Sequence, residues 1–227
     1  MRQQVAGEDR SVVLAVLAGG RSSRFGGSKL GVRVDGEPVL AWLARRLGGV
    51  CGGGSVLSLG GSAKPQAAGM PPGAEVYQRV VRDAELDAGP LAGVAAVLRA
   101  VEAGQIVVVV AADMPGVTAG YVERLVGELR VKPRAAGVMG RWVREGFAKP
   151  QAAGAIEPLP SVWRGGAGAR LVDEALRRGE RALYRLAERD EVACVELRAG
   201  DEGLFVNVNR REDLAEAGRV LGVSVEI

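Results

Sequence analysis

Apolar runs alternate with amphipathic segments along most of the chain. The run VVLAVL at residues 12–17 is wholly apolar and rich in β-branched residues, as is IVVVVAA at residues 106–112. Such runs are typical of strands covered on both faces of a parallel sheet. Further strands are predicted at residues 55–59 and 75–81, a small hairpin at 32–38, and helices at 39–47, 91–102 and 118–129, the last with Thr118 as its N-cap.

This succession of strand and helix predicts the fold class. A repeated βαβ order gives a parallel, right-handed, doubly wound sheet. The last third differs, because strands predicted at residues 135–139, 143–149 and 192–197 have no long helices between them. We expect these strands to add a mixed part to the sheet and to shape the pocket of a second substrate. The glycine-rich stretch 165–168 is expected to be a mobile loop or a bend before a helix at 170–178.

Composition narrows the class of protein. At 227 residues, the chain is expected to form a single domain over residues 11–227, preceded by a polar, disordered tail at 1–10. Thirty basic and 27 acidic side chains give a net charge of only +3, without a basic run or an aromatic platform, so nucleic acid is not an expected partner. No apolar run approaches the length of a membrane span, so no membrane is expected either.

The cysteines indicate a compartment. Cys51 and Cys194 stand far apart, and the chain contains no histidine that could join them at a metal. A disulfide framework or a zinc site is therefore not expected, and a reducing cytoplasm is the expected location.

A glycine-rich segment, LAGGRSSRFGGSK at residues 17–29, directly follows the first strand. Glycines allow backbone N–H groups to approach an oxyanion closely. Arg21, Arg24 and Lys29 add positive charge to the same segment. The segment therefore predicts a phosphate-binding loop after the first strand.

Two common phosphate loops do not match this segment. A Walker A loop requires a glycine before the lysine and a hydroxyl residue after it, whereas Ser28 and Leu30 flank Lys29. The dinucleotide pattern GxGxxG is also absent from this turn.

Asp113 directly follows the second strongly apolar run. An aspartate at that place is commonly a helix N-cap. Open α/β sheets, however, bind ligands at the carboxyl ends of their strands, and carboxylates are ligands that Mg²⁺ prefers. Asp113 is therefore the candidate magnesium ligand.

Four motifs in order carry a resemblance to a known family. Residues 17–29 resemble the signature LAGGxSxRMGxDK of the molybdenum cofactor guanylyltransferases and their relatives, with Phe25 in place of Met and Ser28 in place of Asp. Three later motifs are also similar to family segments: DAELDAGPLAG (83–93) to DxxGPLAG, ADMP (112–115) to CDxP, and FVNVNRREDL (205–214) to FxN[IV]NTPE[ED]L.

The resemblance implies a three-layer, Rossmann-like nucleotidyltransferase fold whose central sheet is mostly parallel and partly mixed. It implies transfer of GMP from GTP to the phosphate of molybdopterin or the molybdenum cofactor, with release of pyrophosphate. Mg²⁺ would be the cofactor, and molybdoenzymes or cofactor-delivery proteins are possible protein partners.

The resemblance also assigns site residues. The catalytic residues would be Lys29, Arg24 and Asp113, with Asp113 also the metal ligand. The nucleotide would be bound by Leu17, Ala18, Gly19, Gly20, Lys29, Asp83 and Asp113, and the acceptor by Gly89, Gly93, Asn207 and Asn209. Turn or cap duty is the alternative role for the two asparagines.

Three alternatives stay open at this point. The family often has an asparagine that recognises guanine after the second strand, whereas this chain has Ser58-Leu59-Gly60-Gly61. A CTP-dependent cytidylyltransferase or another small-molecule nucleotidyltransferase is therefore an alternative. A different class, a nucleotide-binding adaptor without turnover, is the third, supported by Ser28 and Gly60 and opposed by the presence of Lys29 and Asp113.

Overall fold

A central sheet of seven strands organises the fold. The computed structural model describes residues 11–19, 29–60, 69–82, 89–143 and 154–227, except for the side chain of Lys29. The strands are β1 (Val12–Leu17), β2 (Arg33–Val34), β3 (Glu37–Pro38), β4 (Ser55–Leu59), β5 (Arg79–Arg82), β6 (Ile106–Ala111), β7 (Gly137–Trp142), β8 (Ile156–Arg164), β9 (Val192–Leu197) and β10 (Val225–Glu226). The helices are α1 (Val39–Leu47), α2 (Pro90–Arg99), α3 (Ala119–Val131), α4 (Gly165–Arg177) and α5 (Asp213–Leu221).

The strand order is β5-β4-β1-β6-β8-β7-β9. All neighbouring pairs are parallel except the two that β8 makes with β6 and β7. A mostly parallel, partly mixed sheet is the arrangement that the sequence predicted, and the prediction is confirmed.

Helices cover both faces of this sheet and make three layers. Along β1, Leu14 and Val16 belong to the core that includes residues of α1 and α3, whereas Val13 and Ala15 belong to the core that includes residues of α2 and α4. Because both faces of β1 are buried, none of its positions is polar. The same reason explains the apolar run of β6.

A second, three-stranded sheet has the order β10-β2-β3. β2 and β3 form the predicted hairpin around Asp35 and Gly36, which both have positive φ. β10 pairs antiparallel with β2, and the Asp35 carboxylate accepts a hydrogen bond from Ser224 N at 3.0 Å. The end of the described chain therefore lies beside the segment that follows Lys29.

Two predicted elements differ most from the structure. Residues 74–76 form a 3₁₀ turn rather than the start of a strand, and β5 extends only over the four residues that pair with β4. The predicted bend at 165–168 is wrong, because these residues form the first turn of α4. Gly165 N and Gly166 N donate to Gln105 O and Ala103 O, so the helix start is capped by carbonyls distant in sequence.

β8 was not predicted from the sequence. Its prolines, Pro158 and Pro160, are unfavourable inside a central strand because they lack an N–H donor. They lie where the register between β7 and β8 shifts and beyond the last residue paired with β6, Ser161, so the ladder does not need those two donors.

Two other predictions fall on residues that the structure does not describe: the tail at 1–10 and nearly all of the strand at 143–149. Among the described residues, no helix combines the length and the apolar character that crossing a bilayer requires.

Candidate active site

The sheet reverses its winding direction between β1 and β6. The chain builds β4 and β5 on one side of β1 and then places β6 on the other side. Leu17, the last residue of β1, is in register with Ser58 of β4 and Ala111 of β6. The three strands therefore end at the same edge, and a crevice outside this switch point is where such sheets bind ligands.

Backbone hydrogen bonds hold the chain at this edge. Ala18 N donates to Ser58 O at 2.7 Å, and Ala112 N donates to Leu17 O at 2.9 Å. Leu17, Ala18 and Gly19 are thus placed at the mouth of the crevice. The predicted nucleotide-binding residues Gly20 and Asp83 and the predicted catalytic residue Arg24 are not among the described residues.

Lys29 is described only in its backbone, which begins the 3₁₀ turn Lys29–Gly31. That turn contacts α1, and Leu30 packs against the core beneath it. Because α1 also holds the loop that carries Asp113, the backbone of Lys29 and Asp113 share one supporting helix.

Asp113 lies two residues beyond the end of β6 and is half-buried. Two side chains of α1 hold the loop that follows it: Trp42 Nε1 donates to Pro115 O at 3.0 Å, and Arg46 Nε donates to Val117 O at 2.9 Å. The Arg46 guanidinium carbon lies 5.4 Å from the centroid of the Trp42 ring, a cation–π distance. The conformation after Asp113 is therefore set by helix side chains that lie 73 and 71 residues before the carbonyls they bind.

The segment with the two predicted asparagines packs directly against the Asp113 loop. Val208 N donates to Asp113 O at 2.9 Å. A Cβ atom at Gly116 would lie only 2.1 Å from Gly203 O, so this approach of two backbones requires glycine. Asn207 and Asn209, which flank Val208, are therefore placed next to the candidate metal ligand.

Both asparagines also contribute to local structure. Asn207 Nδ2 donates to Phe205 O at 3.1 Å. The Asp213 carboxylate accepts from Asn209 N and Arg210 N, each at 2.7 Å, and so fixes the turn before α5. These contacts agree with the turn role that the sequence left open, and they hold the segment without excluding a ligand.

The other two predicted acceptor residues lie in the opposite layer. Gly89, with φ of +74°, precedes Pro90 at the start of α2, and a Cβ at Gly89 would lie 3.0 Å from Arg181 O. Gly93 is buried within α2. Since α2 belongs to the layer with α4, the four predicted acceptor residues are divided between the two helical layers.

The donor set suits a magnesium ion that is shared with a substrate. In the described part of the chain, no three His, Cys, Asp or Glu side chains come together as a metal cluster. Mg²⁺ is commonly held by one or two carboxylates, with phosphates and water as the remaining ligands. Among the residues that the structure describes, Asp113 is a carboxylate at this edge that could hold it.

Sequence reasoning missed several residues that build the site. The apolar pattern of α1 assigns Trp42 to the core and Arg46 to the surface, so neither is recognised as a residue that holds a loop. Gly116 and Gly203 have no sequence pattern around them that indicates a close approach of two backbones. Asp213 is different, since an acidic residue at the first position of a helix is a common capping signal and could have been recognised.

This fold, with a crevice at the switch point of its sheet, is typical of nucleotide-binding proteins of the doubly wound α/β class. A family model described as "MobA-like NTP transferase domain" matches residues 14–195. The protein named molybdenum cofactor guanylyltransferase in Burkholderia vietnamiensis is 34% identical over 215 residues, which cover 92% of this chain and 96% of that protein. Its namesake in Cereibacter sphaeroides is 33% identical over 213 residues, covering 91% and 95%.

A solved structure agrees in fold. The molybdopterin-guanine dinucleotide biosynthesis protein A from Archaeoglobus fulgidus superimposes with a TM-score of 0.67 at 21% identity, covering 92% of this chain and 98% of that one. The chain belongs to the MobA-like NTP transferase family, and it is a nucleotidyltransferase.

Proposed function

We propose that the protein transfers GMP from GTP to the phosphate of molybdopterin or of the molybdenum cofactor, and releases pyrophosphate. The product is the guanine dinucleotide form of the cofactor, which molybdoenzymes or cofactor-delivery proteins would collect. One observation carries the proposal: the winding of the sheet reverses beside β1, where the glycine-rich segment begins, and Asp113 follows the neighbouring strand at the same edge. Relatives with the guanylyltransferase name are aligned with almost the whole chain.

The nucleotide occupies the crevice between β1 and β6. The backbone of residues 17–20 binds base and ribose, and Arg24 and Lys29 bind the phosphates, with Asp83 near the nucleotide.

The reaction needs no protein nucleophile. A phosphate oxygen of the acceptor attacks the α-phosphorus of GTP, the bond from that phosphorus to its bridging oxygen breaks, and pyrophosphate leaves with the electron pair. A chain without histidine can catalyse this step by positioning the reactants and by neutralising charge on the leaving group. At a surface, two unit charges about 4 Å apart interact by roughly 4 kcal/mol, so each well-placed cation has a large effect.

Asp113 would hold Mg²⁺ together with the triphosphate oxygens. When bound, the ion neutralises phosphate charge. Asp113 is half-buried, and the hydrogen bonds from Trp42 and Arg46 hold the loop that follows it.

The acceptor is bound on the side of the crevice formed by residues 205–209, with Gly89 of the opposite layer. The hydrogen bond from Val208 N to Asp113 O supports this arrangement, because it joins the segment that contains the two asparagines to the loop of the candidate metal ligand. An acceptor phosphate bound there would lie close to the metal-bound triphosphate.

Product analysis tests the proposal. The protein is incubated with Mg²⁺, molybdopterin and an equimolar mixture of the four nucleoside triphosphates, and the products are identified by mass spectrometry. We expect a GMP adduct and one pyrophosphate per adduct. A CMP adduct would establish the cytidylyltransferase alternative instead, and bound nucleotide without pyrophosphate release would establish a non-catalytic adaptor.

A further inference from the structure

Arg124 of α3 holds the segment that leads to the two asparagines. Its Nη1 donates to Asp201 Oδ1 at 2.9 Å, and its Nη2 donates to the main-chain oxygen of Glu196 at 2.9 Å. The planar guanidinium thus joins the end of β9 to the turn that follows it. The Asp201 side chain is only 15% exposed, so this ion pair is partly shielded from solvent.

An aromatic chain continues from the same guanidinium. The Arg124 guanidinium carbon lies 5.5 Å from the centroid of the Tyr121 ring, and the Tyr121 ring meets Phe205 edge to face at 5.6 Å. The Trp142 ring also meets Phe205 edge to face, with 5.7 Å between the ring centroids. Tyr121 therefore holds Phe205 against α3, the helix that also contains Arg124.

The segment beyond Phe205 is the acceptor side of the crevice. Phe205 O accepts from Asn207 Nδ2, and Val208 N donates to Asp113 O. Asp201 begins this segment, since its carboxylate accepts from Arg198 N and its carbonyl accepts from Leu204 N. Arg124 thus contacts the chain directly at residue 201 and, through Tyr121, at residue 205. Both positions lie a few residues before the two asparagines.

We propose that Arg124 is a positioning residue for acceptor binding: it sets residues 207–209 against Asp113 through Asp201 and through the Tyr121–Phe205 contact. Arg124 does not touch a substrate in this role. The identity of the acceptor in this inference rests on the proposed function. The placement of the segment by Arg124 is independent of that function.

Steady-state kinetics test the consequence for binding. In Arg124→Ala we expect the KM for molybdopterin to rise about tenfold or more, because a charge-assisted contact that orders the segment is lost. The Kd for GTP should change by less than about twofold, because the contacts that the structure describes for Arg124 are with Glu196, Asp201 and Tyr121 and not with the end of β1. Arg124→Lys keeps the charge but not the planar fork, and its KM should lie between the two.

The ion pair provides a further kinetic test. In Asp201→Asn the KM should rise as well, and the double variant Arg124→Ala/Asp201→Asn should be little worse than Arg124→Ala alone, because both act on one contact. Arg134→Ala, which removes an exposed arginine just after α3, is the matched control and should leave both constants unchanged.

Amide hydrogen exchange tests the placement without activity. In Arg124→Ala the amide of Val208 should exchange faster by about tenfold, since its bond to Asp113 O depends on the placed segment. The amide of Ala112, which donates to Leu17 O within the sheet, should keep its wild-type rate. If Arg124→Ala does not fold, Arg124→Lys is measured in the same way and should show a smaller change in the same direction.

Three results would overturn the inference: unchanged exchange at Val208 in a folded variant, an unchanged KM for molybdopterin, or equal losses of affinity for both substrates. If the wild-type protein transfers no GMP, the proposed function fails and exchange alone decides the role of Arg124. Faster exchange at Val208 then supports the role, and an unchanged rate refutes it.

Discussion

At the scale of single residues, charge at the phosphates decides turnover. In Lys29→Ala we expect kcat to fall by about 10²- to 10³-fold, the usual effect of deleting one group that stabilises developing charge. The measurement is pyrophosphate release at saturating GTP and acceptor. Lys132→Ala, which removes an exposed lysine paired with Glu128 on α3, is the control. Unchanged turnover in a folded Lys29→Ala variant would remove this lysine from the mechanism.

Asp113 carries the prediction about the metal. In Asp113→Asn the concentration of Mg²⁺ needed for half-maximal activity should rise, because a neutral amide is a poorer ligand than a carboxylate for a hard dication. Activity is titrated with Mg²⁺ in the wild type and in the variant. Asp173→Asn, which changes a carboxylate paired with Arg99 on the surface, should titrate like the wild type. Identical curves for Asp113→Asn and wild type would reject the assignment.

At the scale of elements, two loops are packed as one unit. The chain after Asp113 approaches the 203–208 segment so closely that Gly116 admits no side chain. In Gly116→Ala the added methyl group has to displace backbone, and we expect a loss of about 1–3 kcal/mol in the free energy of unfolding. The KM for the acceptor should rise as well, because Gly203 and Val208 belong to the displaced segment. Urea unfolding and kinetics measure the two effects.

A helix of the same layer offers the matched control. Gly127 is an exposed glycine inside α3, and a Cβ there would meet no atom within 4 Å. Gly127→Ala should therefore stabilise the protein by about 0.4–1 kcal/mol and leave the KM unchanged. Equal effects of the two substitutions would show that the approach at Gly116 is looser than the structure indicates.

At the scale of the whole molecule, a buried thiol makes the free energy of unfolding fall at alkaline pH. Burial raises the pKa of the Cys51 thiol to about 12, whereas an unfolded thiol ionises near pH 8.5. Between these values the unfolded state loses its proton and the folded state keeps it. The free energy of unfolding should therefore be maximal below about pH 8.5 and fall as pH rises towards 12, by at most about 1.4 kcal/mol per pH unit from this group.

Urea unfolding at pH 8, 9 and 9.5 measures this slope. Below the range in which tyrosines ionise, Cys51→Ala should flatten the pH dependence, even though it also removes a buried group at every pH. Parallel curves for the two proteins would show that Cys51 does not contribute.

Much of this architecture follows from the sequence alone. The apolar runs of β1 and β6, the apolar face of α1 and the cap of α3 at Thr118 were all recognised, and the Thr118 hydroxyl accepts from Tyr121 N as expected. These features are local, because an element that is buried on one or two faces has a regular pattern of apolar residues along its own sequence. The doubly wound, mostly parallel sheet and the place of Asp113 at a strand end followed from them, and the family resemblance added the three-layer nucleotidyltransferase fold.

Only the tertiary structure decided the rest. It placed β8 antiparallel among parallel strands and brought Gly116 against Gly203. It also began α4 at Gly165, where main-chain oxygens of residues 103 and 105 accept hydrogen bonds from the first N–H groups of the helix. It also brought Arg124 to Asp201. Each of these contacts joins residues far apart along the chain, so no local pattern encodes it, and it exists only once the sheet and its two helical layers have formed.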